Sequence, residues 1–164
     1  MPKGLKTSSS IVAIGFSVDE SAANTFTQTQ VDLNLSPLDR EVFVVLAINL
    51  DPFYPEAIAA TDTTVATSLT TTRQFATSNL SNPNCLAAAF NQIQQGTVGF
   101  QTTLETPPSN LDYIGIIATN DFFVQVEGRN NLAAKGCDGK LYGYRAIADA
   151  DIYAALVQSE VLSA

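Results

Sequence analysis

Residues 41–50 read EVFVVLAINL, Glu41 to Leu50, and only Glu41 and Asn49 in that run are polar. β-Branched and aromatic residues fit a pleated surface, so the stretch reads as a strand. Because its apolar run is nearly continuous, the strand is expected to be buried on both faces, or to lie with one face in the core and the other against a partner. It is closed by Asp51-Pro52-Phe53-Tyr54-Pro55, where two prolines cannot donate to a ladder.

Toward the N-terminus, Thr25, Thr27 and Thr29 alternate with Phe26, Gln28 and Gln30 and lead into Val31-Asp32-Leu33. Strict alternation is the period of a half-buried strand, with the threonines on one face. Leu35-Ser36-Pro37-Leu38-Asp39 reads as a turn, and Ile11 to Ser17 as a short apolar strand. Residues 1–10 are polar and carry Lys3 and Lys6; they are expected to be a flexible arm before one β-rich domain over 11–164.

Toward the C-terminus, Thr63 to Phe75 reads as a strand and Thr97 to Leu104 alternates again before Pro107-Pro108. Cys85 to Gln95 (CLAAAFNQIQQ) is expected to be a helix: Leu86, Ala89, Phe90 and Ile93 share one stripe, with Asn84 as a cap and Gly96 as its end. Tyr113 to Ala118 and Phe122 to Val126 flank Thr119-Asn120-Asp121, which reads as a tight hairpin. Asn130 to Gly139 is read as a loop ending in an Asp138-Gly139 turn, and Lys140 to Ile147 as a strand. A last helix would be capped by Asp149 or Asp151 and bury Ile152, Ala155 and Leu156. The sum is a mainly β chain with about seven or eight strands: an antiparallel β-sandwich or barrel, jelly-roll-like, with one or two short helices.

Composition narrows the function. The chain of 164 residues has 8 Lys and Arg against 16 Asp and Glu, a net charge of -8, and no His. An acidic surface does not neutralise phosphates, so direct nucleic-acid binding is not expected. Without His there is no His-based metal site or triad, and no G-x-S-x-G elbow is present. Gly96-Thr97-Val98-Gly99 lacks the Lys-Ser/Thr of a phosphate loop. The acidic pairs Asp19/Glu20 and Asp149/Asp151, and Asp138, read as caps and turns, so no catalytic residue, metal or cofactor is expected and the protein is not read as an enzyme. Arg129, Lys135, Lys140 and Arg145 read as solvated charges or local ion pairs with Glu127 or Asp138, and Cys85 and Cys137 as two free thiols. Ile11-Val12-Ala13-Ile14 is too short for the core of an export signal, and no run is long enough to cross a membrane.

Only 15% of the residues are charged, whereas a soluble monomer keeps a surface with roughly 25–35% charged residues. Apolar strands with so little charge around them need covering, and subunit packing supplies it. Copies of the same chain are therefore the expected partners, with Phe43, Val45, Phe122, Val124, Tyr142 and Tyr144 as candidate interface residues.

A short polar arm, Pro2 to Ser10, precedes a Thr/Asn/Ala-rich β domain, and the Tyr113 to Val126 unit precedes a closing segment, Tyr142-Gly143-Tyr144-Arg145-Ala146 to Ala155-Leu156-Val157. In this the chain resembles small structural proteins of viral particles. The resemblance implies a shell-forming capsid protein or a decoration protein, located in the virion after assembly in host cytoplasm, in contact with itself and with other virion proteins. Genome-packaging arms are richer in Lys and Arg than Pro2 to Ser10 is. An alternative from another class is a carbohydrate-binding or adhesion β-sandwich using Phe53, Tyr54, Tyr142 and Tyr144; a phage tail subunit is a third.

Overall fold

The structure is a computed structural model and describes residues 2–95, 99–102 and 111–162. The strands are β1 (Leu5–Thr7), β2 (Val12–Asp19), β3 (Thr27–Asp32), β4 (Glu41–Pro52), β5 (Thr63–Thr70), β6 (Cys85–Gln94), β7 (Gly99–Thr102), β8 (Gly115–Ile117), β9 (Asp121–Arg129) and β10 (Gly136–Ala148). One helix, α1 (Ala150–Leu162), follows.

The pairing is nested. β5 pairs with β6, β4 with β8, β3 with β9 and β2 with β10, all antiparallel. That is one long two-stranded ribbon. Rolling it up adds the lateral pairs β4–β10 and β5–β9. The result is two antiparallel sheets: sheet A, in the order β8-β4-β10 with β1 and β2 both on the far edge of β10, and sheet B, in the order β3-β9-β5-β6-β7. Eight strands wound this way form a jelly roll.

The inner faces close on one apolar cluster. Phe43, Val45 and Leu141 from sheet A meet Val65, Leu69, Phe122 and Val124 from sheet B. Period-two alternation decides who points inward. In β9, Phe122, Val124 and Val126 enter this core while Gln125 faces out. Glycine is required where β10 crosses aromatic rings: a Cβ on Gly139 would strike the Phe16 ring, and one on Gly143 the Phe43 ring.

Five expectations are corrected. Cys85 to Gln95 is not a helix; Cys85–Gln94 is β6, with Ala87, Ala89 and Asn91 buried alternately along its pairing with β5, and β7 beside its Asn91 to Gln94 end. The helical stripe of Leu86, Ala89, Phe90 and Ile93 was a coincidence of spacing, and tertiary pairing overrides alanine's helix propensity. The Tyr113 to Val126 unit is not a hairpin: β8 pairs with β4 in sheet A and β9 with β3 and β5 in sheet B, so Thr119-Asn120 carries the chain between sheets. Asp138-Gly139 is not a turn but lies inside β10. The 1–10 segment is not wholly an arm, since Leu5–Thr7 pairs with Thr7↔Ala146 to Leu5↔Ala148 and Leu5 is buried. On the last helix Ala155 is exposed; Ile152, Tyr153, Leu156 and Val157 do the packing. Its start is as expected: α1 follows Asp149, whose carbonyl accepts the Tyr153 N–H at 2.8 Å.

Candidate functional site

Of the expected interface residues, Phe43, Val45, Phe122 and Val124 are enclosed in the protomer's own core and present nothing to a partner. Tyr142 and Tyr144 lie on the outer face of sheet A, where Tyr144 packs near α1 and Tyr142 stays 36% exposed. The six residues therefore divide between the core and one outer face.

Sheet A is roofed over part of that outer face. Val42, Val44, Ala146 and Ala148 lie under Ile152, Tyr153, Leu156 and Val157 of α1. Near the far end of α1 the buried Glu160 carboxylate accepts two backbone N–H groups, Ala118 at 2.7 Å and Thr119 at 3.0 Å, and so ties the helix to the crossing between sheets.

Sheet B is roofed differently. Segment 71–84, between β5 and β6, lies over its outer face and is held by side-chain hydrogen bonds. Their centre is Gln125, which is fully buried. Its Nε2 donates to Gln28 Oε1 and Thr70 Oγ1, each at 2.8 Å, and its Oε1 accepts from Ser68 Oγ at 2.6 Å. The network extends into the segment: Gln74 N donates to Gln28 Oε1, Ser78 N to Ser68 Oγ, and Asn82 Nδ2 to Ser78 Oγ. Between this segment and strands β5 and β6 lies a cleft of about 530 Å³, bordered by Thr64, Thr77, Leu80, Phe90, Gln92 and Arg129.

A second polar cluster closes the opposite end. Glu20, buried, accepts backbone N–H groups from Thr25, Gly128 and Lys135 at 2.8–3.0 Å. Asn24 and Asn131 exchange reciprocal bonds at 2.8 Å, and Lys135 pairs with Glu56 at 3.3 Å. The Leu132 N–H bonding Glu56 holds that carboxyl below its ordinary value, with Lys135 adding to the effect. These bonds fasten the 20–26, 53–62 and 130–135 loops together.

Most of the basic residues of the last third are engaged: Arg129 with Glu127 at 3.7 Å, Lys135 as above, and Arg145 with Glu41 at 3.7 Å and the Leu33 carbonyl at 2.7 Å. The pairing of Arg129 with Glu127 was expected; the Glu56 and Glu41 partners were not. Cys85 and Cys137 are buried and not joined in a disulfide, and burial pushes the Cys137 thiol up, away from reactive thiolate. Among the described residues no three His, Cys, Asp or Glu side chains converge as metal ligands.

What fold and surface define is an antiparallel jelly-roll protein with two roofed sheets. No family model matches the chain, and no curated protein matches it. Among solved structures it is similar to a chain of Desmodium yellow mottle tymovirus, at 15% identity and a TM-score of 0.34, over 91% of this chain and 93% of that one. A likeness of that degree carries no argument about function.

Proposed function

We propose that the protein is a structural subunit that assembles with copies of itself into a viral particle, as a shell-forming capsid protein. The observation that carries this reading is what folding leaves in water. Leu38 at one end of the sandwich is 95% exposed, Phe75 on the roofing segment of sheet B 94%, and Leu132 at the other end 80%. Each stands outside the strands and the helix. Scattered exposed apolar residues are ordinary on a well-charged surface. Here they crown both ends of a chain with only 15% charged residues, which a closed shell would bury between neighbours.

Mass by light scattering, with a negative-stain micrograph of the same sample, tests the reading. Closed particles are the expected result. A 17.4 kDa monomer at high concentration overturns it.

One observation favours the second reading, a carbohydrate-binding module. Tyr54 and Phe100 are both exposed, with ring centroids 5.5 Å apart, and exposed aromatic pairs suit the apolar faces of sugars. Glycan-array binding by a monomer, abolished by Tyr54→Ala, would select it over assembly.

A further inference from the structure

We infer that β2 is the strand through which a second copy of this chain joins sheet A, edge to edge and antiparallel. The inference rests on the self-assembly reading above and names its contact.

β2 pairs with β10 along one side, and along the other it pairs with no strand among the described residues. An open edge offers a row of backbone N–H and C=O groups, and proteins that stay monomeric blunt such edges with charge, proline, bulges or extreme shortness. Among the described residues the other edge strands are shorter: β8 has 3 residues, β7 has 4 and β3 has 6. β2 has 8 residues and pairs with β10 without a register break.

The edge does contain one irregularity, and it falls before β2. Leu5 pairs with Ala148 and Val12 with Gly143 on the same side of β10, so the chain takes 12 − 5 = 7 steps where its partner takes 148 − 143 = 5. The two surplus residues are taken up in Ser8 to Ile11, where Arg145 N donates to Ser9 Oγ. Pairing by another chain is blocked there and free from Val12 onward.

Charge selects the occupant. Copies carrying -8 each repel one another except where charge is missing, and Thr7 through Val18 holds no charged residue. That neutral strip is flanked by exposed Lys3 and Lys6 on one side and exposed Asp19 on the other. Antiparallel pairing of two copies turns the basic end of each toward the acidic end of the other. Parallel pairing would set like against like. A second copy around a two-fold axis therefore satisfies the open backbone groups without opposing like charges, and it covers Val12, which is 40% exposed.

Gly15 gives the test, because nothing lies within 4 Å of a Cβ built there, so a side chain at this position has room in the protomer. Gly15→Glu places a charge near its own copy across the axis. Wild type and variant are compared by light scattering, with circular dichroism to show that both are folded. Gly15→Cys is treated with a mild oxidant beside a control, Gln158→Cys, exposed on α1. The expected result is an oligomeric wild type, a Gly15→Glu mass lower by about half or more, and a covalent dimer from Gly15→Cys in excess over the control. An oligomeric wild type with unchanged Gly15→Glu mass and no such excess overturns the edge contact and leaves self-assembly standing. A monomeric wild type overturns both.

Discussion

The two sheets solve the same problem with opposite chemistry. Sheet A is roofed by α1 through apolar contact, with Val42, Val44, Ala146 and Ala148 under Ile152, Leu156 and Val157. Sheet B is roofed by segment 71–84 through amide and hydroxyl groups centred on Gln125. An apolar seam loses stability in proportion to the volume removed and keeps its geometry. A buried hydrogen-bond network fails as a unit, because each partner left behind becomes an unsatisfied buried group. The helix roof is thus graded, and the loop roof is close to all-or-none.

The sharpest way to break this comparison is Gln125→Ala, which strips partners from Ser68, Thr70 and Gln28 at once. It should cost about 4 kcal/mol in urea unfolding and abolish hydrogen-exchange protection across 71–84, given 1–3 kcal/mol for each buried group left unpaired. Val44→Ala, under the helix, should cost about 2 kcal/mol with α1 still protected. If Val44→Ala released the helix, the seam would not be graded.

A smaller effect comes at the rim of the loop roof. Asp121 faces Asp32 in register across β9 and β3, with Gln30 Nε2 donating to it at 2.6 Å and Arg73 nearby. Burial, then the Asp32 charge, raises its carboxyl above the ordinary 3.8. The native state thus holds a proton that the unfolded chain has released. Its contribution is full below 3.8 and is lost as pH rises through the native value. Asp121→Asn should remove that decline, so its stability relative to wild type grows across the window and then levels off, as read by urea titrations between about pH 3 and about pH 7. Smallest of all is Phe75→Ser, on the outside of the roof, which should change unfolding free energy by less than about 0.5 kcal/mol while lowering the yield of assembled particles in micrographs.

The legible half of this molecule is the apolar half. The strand at 41–50, the alternation before Asp32 and the capped last helix all follow from side-chain period and stop signals, which are local. What was not legible depends on partners far away in sequence. Gln125 stands between Val124 and Val126 as any outward strand residue would, and only Ser68, Thr70 and Gln28 make it a keystone. β6 reads as a helix because Ala87 and Ala89 look like helix formers until β5 pairs beside them. Tyr113 to Val126 reads as a hairpin because sequence shows two strands and a turn pair but not that they belong to different sheets. Phe43, Val45, Phe122 and Val124 of the expected interface set lie in the core for the same reason, since apolar strand residues mark the inside of a sandwich before they mark a contact between copies.

β10 also has a temporal consequence. It is the neighbour of β1, β2 and β4, and those three are not neighbours of one another. During synthesis β4, with Val42 to Leu50, leaves the ribosome long before residues 136–148 exist to pair with it. Sheet A therefore closes only after residues 136–148 have been made. Pairings as distant as Leu5 with Ala148 make folding slow. In the interval the nascent chain carries its most apolar strand uncovered, and a cell making many copies at once must shield it from its neighbours.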